Sequence, residues 1–203
     1  MGATKADHPI PARIMHSLHL LCMIALVATG FYIHRPNFSL FGVDMNLART
    51  VHIYAAFIIL LNSVVRVYWA LFGTKGDMKY FMPEKENRGT MFPMMAYYYF
   101  LRKTKPKTSK YNTWQKSTYV IWTIVLWFQA IIGFSLLWRF KPFWGSLNNM
   151  VGGLANMHAI HYLTMWFFIF TVMFHVYLVL FEDFKSFMLM FFGIESEEAE
   201  ETA

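Results

Sequence analysis

Residues 158–181 read HAIHYLTMWFFIFTVMFHVYLVLF, an apolar run long enough to cross a lipid bilayer that nevertheless carries His161 and His175. Fourteen residues separate these two histidines. In an α-helix that spacing is an advance of about 21 Å and a rotation back to within about 40° of the start. Both imidazoles therefore leave one face, near opposite edges of a hydrocarbon core about 30 Å thick. An ionisable ring at such depth is expensive, so two on one face ask for partners elsewhere in the chain.

Three more apolar runs of spanning length occur, at 14–33, 51–72 and 118–138, each near the 20 or so residues a spanning helix requires. The whole chain of 203 residues is 57% hydrophobic and 15% charged, well below the roughly 25% charged of ordinary soluble domains. The expected fold is an all-α membrane protein: a four-transmembrane-helix bundle over residues 1–203, with a short interfacial helix in its inner loop and an acidic tail at 195–203. The first run is too long for a signal peptide and ends in Gly30-Phe31-Tyr32 ahead of His34-Arg35-Pro36, without a small-residue cleavage pattern. Cys22 is the single cysteine, which excludes a disulfide, a cysteine-held metal or iron–sulfur centre and a C-x-x-C-H haem attachment.

A net charge of +6 does not point to nucleic acid, because ten of the 18 Lys and Arg residues lie between Lys75 and Lys116. Lys5, Arg13 and Lys185 fall on the same side, whereas Arg35, Arg49, Arg139 and Lys141 fall on the other. The positive-inside rule then places both termini and the long middle loop in the cytoplasm. In that loop, Phe92–Leu101 is aromatic, too short to span, and followed by Arg102-Lys103, as in a helix lying at the headgroup level.

With the N-terminus inside, helices one and three run outward and helices two and four inward. His52 and His161 both stand near outer helix beginnings. His16 stands near the inner beginning of helix one, at the depth of His175. The pairs able to meet are His52 with His161 and His16 with His175. Two bis-imidazole pairs stacked across a bilayer suit two haem groups, whose macrocycles fill an apolar bundle interior. Gly30 and Gly133 sit at the outer depth and leave room for a macrocycle against the backbone. His19 and His158 are spare, each three residues from a preferred ligand and better suited to a propionate or a partner subunit. Arg66, fourteen residues past His52, is expected at the inner depth beside a propionate. Asn112 and Gln115, just before the third run, can hydrogen-bond a quinone head, with Lys116 adding charge, although Asn112 equally suits a helix cap.

The chain resembles the di-haem cytochrome b subunits of membrane-bound nickel–iron hydrogenases, which are related to the formate dehydrogenase gamma and thiosulfate reductase cytochrome b subunits. The resemblance rests on Arg13-Ile14-Met15-His16 with Thr29-Gly30-Phe31, His52-Ile53-Tyr54-Ala55-Ala56-Phe57 with Arg66-Val67-Tyr68-Trp69, and Tyr97–Lys103. It is strongest at His161, Met165-Trp166, His175-Val176-Tyr177 and Glu182-Asp183. It implies four haem ligands at His16, His52, His161 and His175. Tyr111-Asn112-Thr113-Trp114-Gln115-Lys116 is similar to the quinone segment of the formate dehydrogenase branch, with Thr113-Trp114 replacing the small residues expected there.

The function implied is a membrane anchor and electron conduit in the cytoplasmic membrane of a prokaryote. It carries two haem b and exchanges electrons between an extracytoplasmic catalytic partner and a quinone, menaquinone or ubiquinone. The partner expected is the iron–sulfur-containing pair of small and large nickel–iron hydrogenase subunits, or alternatively a formate dehydrogenase or a thiosulfate/polysulfide reductase. Hydrogen chemistry stays with the partner, since this chain lacks the cysteines a nickel–iron centre needs. A transporter using intramembrane His and Arg is a remote alternative, one that lacks the internal repeat or paired broken helices such proteins show.

Overall fold

The computed structural model describes residues 8–36, 42–73, 89–104, 106 and 113–194. Its elements in chain order are α1 (Ile10–His34), α2 (Met45–Phe72), α3 (Met91–Tyr98), α4 (Thr113–Leu137), α5 (Pro142–Met150), α6 (Leu154–Glu182) and α7 (Phe184–Phe192). Four helices are long and apolar enough to cross a membrane: Ile10–His34, Met45–Phe72, Lys116–Leu137 and Leu154–Glu182. The four expected spans are all present. All four begin several residues earlier than the apolar runs, because helical hydrogen bonding continues where the side chains turn polar. α1 begins after Pro9, with Pro11 in its first turn, where the missing N–H and fixed φ of proline suit a helix start.

The helices turn large apolar side chains outward. Leu21, Tyr54, Leu61, Leu163 and Phe170 are all more than 60% exposed. Such a surface is stable against lipid rather than water, with every backbone polar group satisfied inside its own helix.

The chain divides into two compact units, one of Met1–Arg66 with Gln129–Ala203 and the other of Val67–Phe128. In the second unit α3 confirms the aromatic helix expected in the inner loop. It stops at Tyr99, and Phe100 takes a left-handed conformation, φ 60°.

The first unit holds α1, α2 as far as Arg66, α4 from Gln129, and α5 to α7. The end of α1 meets the start of α2 through Thr29 and His52, while Asn62, late in α2, donates to the Met15 carbonyl near the start of α1 at 2.9 Å. The two helices are therefore antiparallel, as the depth argument required. α5 and α7 both pack on α6, and α7 also on α1.

α5 lies in the connection between the third and fourth spans. What makes it a docked helix is a reciprocal pair of buried amides and hydroxyls. Ser135 Oγ donates to Asn148 Oδ1 at 2.6 Å and Asn148 Nδ2 donates back to the Ser135 carbonyl at 3.1 Å. Both residues are buried, so each polar group is satisfied where water cannot reach it. Gly152 and Gly153, with φ of 88° and 101°, then supply the left-handed turn into α6 that a side chain would disfavour.

α7 follows α6 directly, after the fourth span. Asp183 caps it by accepting from the Ser186 N–H at 3.2 Å, and Gly193 ends it at φ 74°. Arg13 reaches across from α1, donating from Nε to the Met190 carbonyl at 3.1 Å. Its guanidinium lies where a Cβ on Gly193 would come within 2.8 Å. A cation at the last carbonyls of a helix is favoured by both hydrogen bonding and the helix dipole.

Candidate functional site

His52 and His161, which the sequence reading assigned to the outer depth, lie near each other in the structure. The His52 and His161 rings face one another with centroids 6.3 Å apart and planes at 62°. A metal–imidazole bond of about 2 Å, plus about 1 Å from nitrogen to ring centre, places two axial ligands' centroids about 6 Å apart.

The protonation of His52 follows from its neighbour. Thr29 Oγ1 uses its own proton on the Ala25 carbonyl, 2.6 Å away, and so is an acceptor for His52 Nδ1 at 2.9 Å. Nδ1 therefore carries the ring proton and Nε2 keeps the lone pair that binds metal. Thr29 was not singled out in the sequence, because a threonine in a membrane helix ordinarily bonds only to its own preceding turn.

Gly30 and Gly133 lie beside this pair. A Cβ on Gly30 would lie 3.5 Å from His52 Cε1 and 3.4 Å from Met165 Sδ, and one on Gly133 would lie 3.5 Å from His161 Cε1. Both glycines thus open the backbone directly beside the imidazoles, the space a flat macrocycle must share. Gln129, one turn before Gly133, donates from Nε2 to the His161 carbonyl at 3.0 Å. Its Oε1 and the Nδ1 of His161 are buried without a hydrogen-bond partner.

The inner pair is built differently. His16 stands near the start of α1 and His175 near the end of α6, at the opposite ends of these helices from Thr29 and His161. The His16 ring packs edge-on against Phe191 of α7 at 5.6 Å, and its Nδ1 is buried without a partner. One turn along α1, His19 Nδ1 lies 3.4 Å from Asn62 Nδ2. Arg66, half-buried, follows His52 by fourteen residues on α2.

Not every marked residue joins these pairs. His158 is exposed, with Nδ1 bonded to the Leu154 carbonyl at 2.9 Å. His34, exposed at the outer end of α1, stacks on Tyr162 at 4.0 Å. Asn112 and the acidic tail lie outside the described residues, and Gln115 falls in the first turn of α4.

Among the described residues no three His, Cys, Asp or Glu side chains gather to hold a bare metal ion. What the chain offers is paired imidazoles, suited to a metal that brings its own equatorial ligands. The 6.3 Å separation, the metal-ready tautomer of His52 and the two bare glycines all fit a haem in that place.

The sequence model of prokaryotic cytochrome b561 matches residues 7–193. The chain belongs to the prokaryotic cytochrome b561 family. It is therefore a multi-pass membrane cytochrome of the b type, and haem b and electron transport come with the family. The cytochrome is 26% identical over 193 residues to a probable Ni/Fe-hydrogenase B-type cytochrome subunit of Azotobacter vinelandii, covering 87% of this chain and 80% of the relative. It is 27% identical over 198 residues to the probable Ni/Fe-hydrogenase 1 B-type cytochrome subunit of Escherichia coli K12, covering 87% and 82%. A similarly named protein of Cupriavidus necator is 26% identical over 190 residues, covering 85% and 78%.

Proposed function

We propose that this cytochrome is the membrane-anchoring electron-transfer subunit of a nickel–iron hydrogenase, carrying electrons through two b haems between an extracytoplasmic hydrogenase and the quinone pool. The observation that carries the reading is the 6.3 Å separation of His52 on α2 and His161 on α6, with His175 near the other end of α6 and His16 near the start of α1. The hydrogenase names of its relatives support the choice of partner. The concentration of Lys and Arg between Lys75 and Lys116 supports cytoplasmic termini and an outward-facing His52–His161 site.

Haem b supplies a reversible one-electron centre that conducts where water-borne charge cannot pass. The chain's own residues give it place and tuning. His52 and His161 hold the outer group, and Thr29 fixes the tautomer of one ligand. His16 and His175 hold the inner group, with Phe191 excluding water from His16. Arg66 offers a guanidinium to an inner propionate. Asn112 and Gln115 provide the hydrogen bonds a quinone head requires, beside the apolar start of α4.

The test begins with haem per chain in the purified protein, where two are expected and one or fewer refutes the paired reading. Hydrogen-dependent reduction in membranes that also hold the hydrogenase then tests the partner, and its absence with both haems present removes the hydrogenase assignment. Replacing Asn112 and Gln115 by leucine, one at a time, should slow reoxidation by added quinone while both haems stay bound. Unchanged reoxidation in both variants places the quinone elsewhere.

A further inference from the structure

The two outer ligands differ in one respect. His52 has a hydrogen-bond acceptor for its ring N–H in Thr29. His161 has none, although its Nδ1 is enclosed. With Nδ1 enclosed, Nε2 of His161 is the nitrogen that would meet a metal, and Nδ1 would then keep the proton as a buried donor without an acceptor. Such a group destabilises the fold unless something answers it.

The complementary orphan is on the facing helix. Gln129 is anchored to His161 itself, its Nε2 donating to the His161 carbonyl at 3.0 Å. The other end of the same carboxamide, Oε1, is a buried acceptor without a donor. A buried donor and a buried acceptor thus lie on two residues already hydrogen-bonded to each other.

We propose that Gln129 is the positioning residue of His161, its carboxamide oxygen accepting the ring Nδ1 proton when the outer haem is bound, as Thr29 Oγ1 does for His52. The proposal rests on the reading of His52 and His161 as ligands of one haem. The terminal torsions of glutamine and histidine are broad wells, so closing the contact as the ring settles on the metal is cheap. The consequence is electronic as well as geometric. An acceptor on the ring N–H makes imidazole a stronger donor to the metal and favours the oxidised centre.

The experiment compares Gln129→Met, of similar length without an acceptor oxygen, with Gln129→Glu, which keeps one. Haem content, the midpoint potential of the outer haem and the low-temperature electron paramagnetic resonance of its oxidised form are measured in the purified protein. Gln129→Met should keep both haems, raise the outer potential and shift the outer resonance, leaving the inner haem unchanged. Gln129→Glu should hold the outer potential at or below that of the unmodified protein. An unchanged outer potential and resonance in Gln129→Met overturns the proposal, as does an equal rise in both variants. If Gln129→Met loses the outer haem, Gln129→Glu decides: retention with an unraised potential supports the role, and loss there as well overturns it. An unmodified protein that holds no haem at His52 and His161 refutes the underlying reading instead, a result separable from all of these.

Discussion

Under the proposed two-haem reading, the two ends of the α1–α6 pair meet the same chemical problem with different materials. The outer pair is enclosed by residues of four long or docked helices: Thr29 and Gly30 from α1, His52 from α2, Gln129 and Gly133 from α4, His161 and Met165 from α6. At the inner pair, Phe191 from the nine-residue α7 covers His16, and that helix is held by Arg13 and the left-handed Gly193. A site walled by membrane-spanning helices is rigid because moving any wall breaks many contacts. A site closed by a short helix depends on a few bonds at that helix's ends. The outer site should therefore be sensitive to side-chain volume, and the inner site to the attachment of α7.

The strongest way to break the comparison is to remove a ligand. His161→Leu should abolish the outer haem and leave the inner, so that haem per chain falls about twofold; His175→Leu should do the reverse. Loss of both haems from either single change means the sites are not independent. The two species are told apart by redox titration of the remaining absorbance.

Volume is the next lever. Gly133→Val adds two methyl groups beyond a Cβ that already lies 3.5 Å from His161 Cε1. Overpacking of that kind typically costs about 1–3 kcal/mol, which weakens haem affinity at the outer site by about 5- to 150-fold and lowers its occupancy at limiting haem. Inner occupancy should not change. Equal loss from both sites points to a folding defect rather than a filled cradle.

The attachment of α7 should matter less, and only at the inner site. Arg13→Gln removes a charged hydrogen bond to the Met190 carbonyl, a contact worth about 1.5–3 kcal/mol. Inner haem should then be released to a haem acceptor several-fold faster, with outer release unchanged. The same rate at both sites in the variant and the unmodified protein shows that α7 does not close the inner site.

The smallest effect is electronic. Thr29→Val leaves the shape but removes the acceptor for His52 Nδ1–H, and the outer midpoint potential should rise by at most about 40 mV, the one-electron equivalent of a hydrogen bond worth about 1 kcal/mol. Haem content and the inner potential should stay as they are. A fall in the outer potential contradicts the assigned tautomer.

The spans, the interfacial helix and the four histidines were legible in the sequence because each is a matter of period and length. Hydrocarbon thickness sets how many apolar residues a helix needs, and helix geometry sets which histidines share a depth. Gly30 and Gly133 were legible for the same reason, lying at computable heights. The quinone pair Asn112 and Gln115 rests on sequence alone, since Asn112 is outside the described residues. Thr29 and Gln129 were not legible as partners of ligands. Their types are ordinary in membrane helices, and only the rotation of α1 against α2 and of α4 against α6 brings their oxygens or amides to the histidines.

The sequence by itself determined that this chain crosses a membrane four times with histidines at two depths, because hydrophobic length and helical rise are properties of one strand of residues. Tertiary structure alone decided that His52 and His161 stand 6.3 Å apart, which residue answers each ring proton, that residues 142–150 form a docked helix and that α7 turns back to cover His16. Those outcomes depend on how helices rotate and pack against one another, and packing is a relation between distant parts of the chain that no single stretch contains.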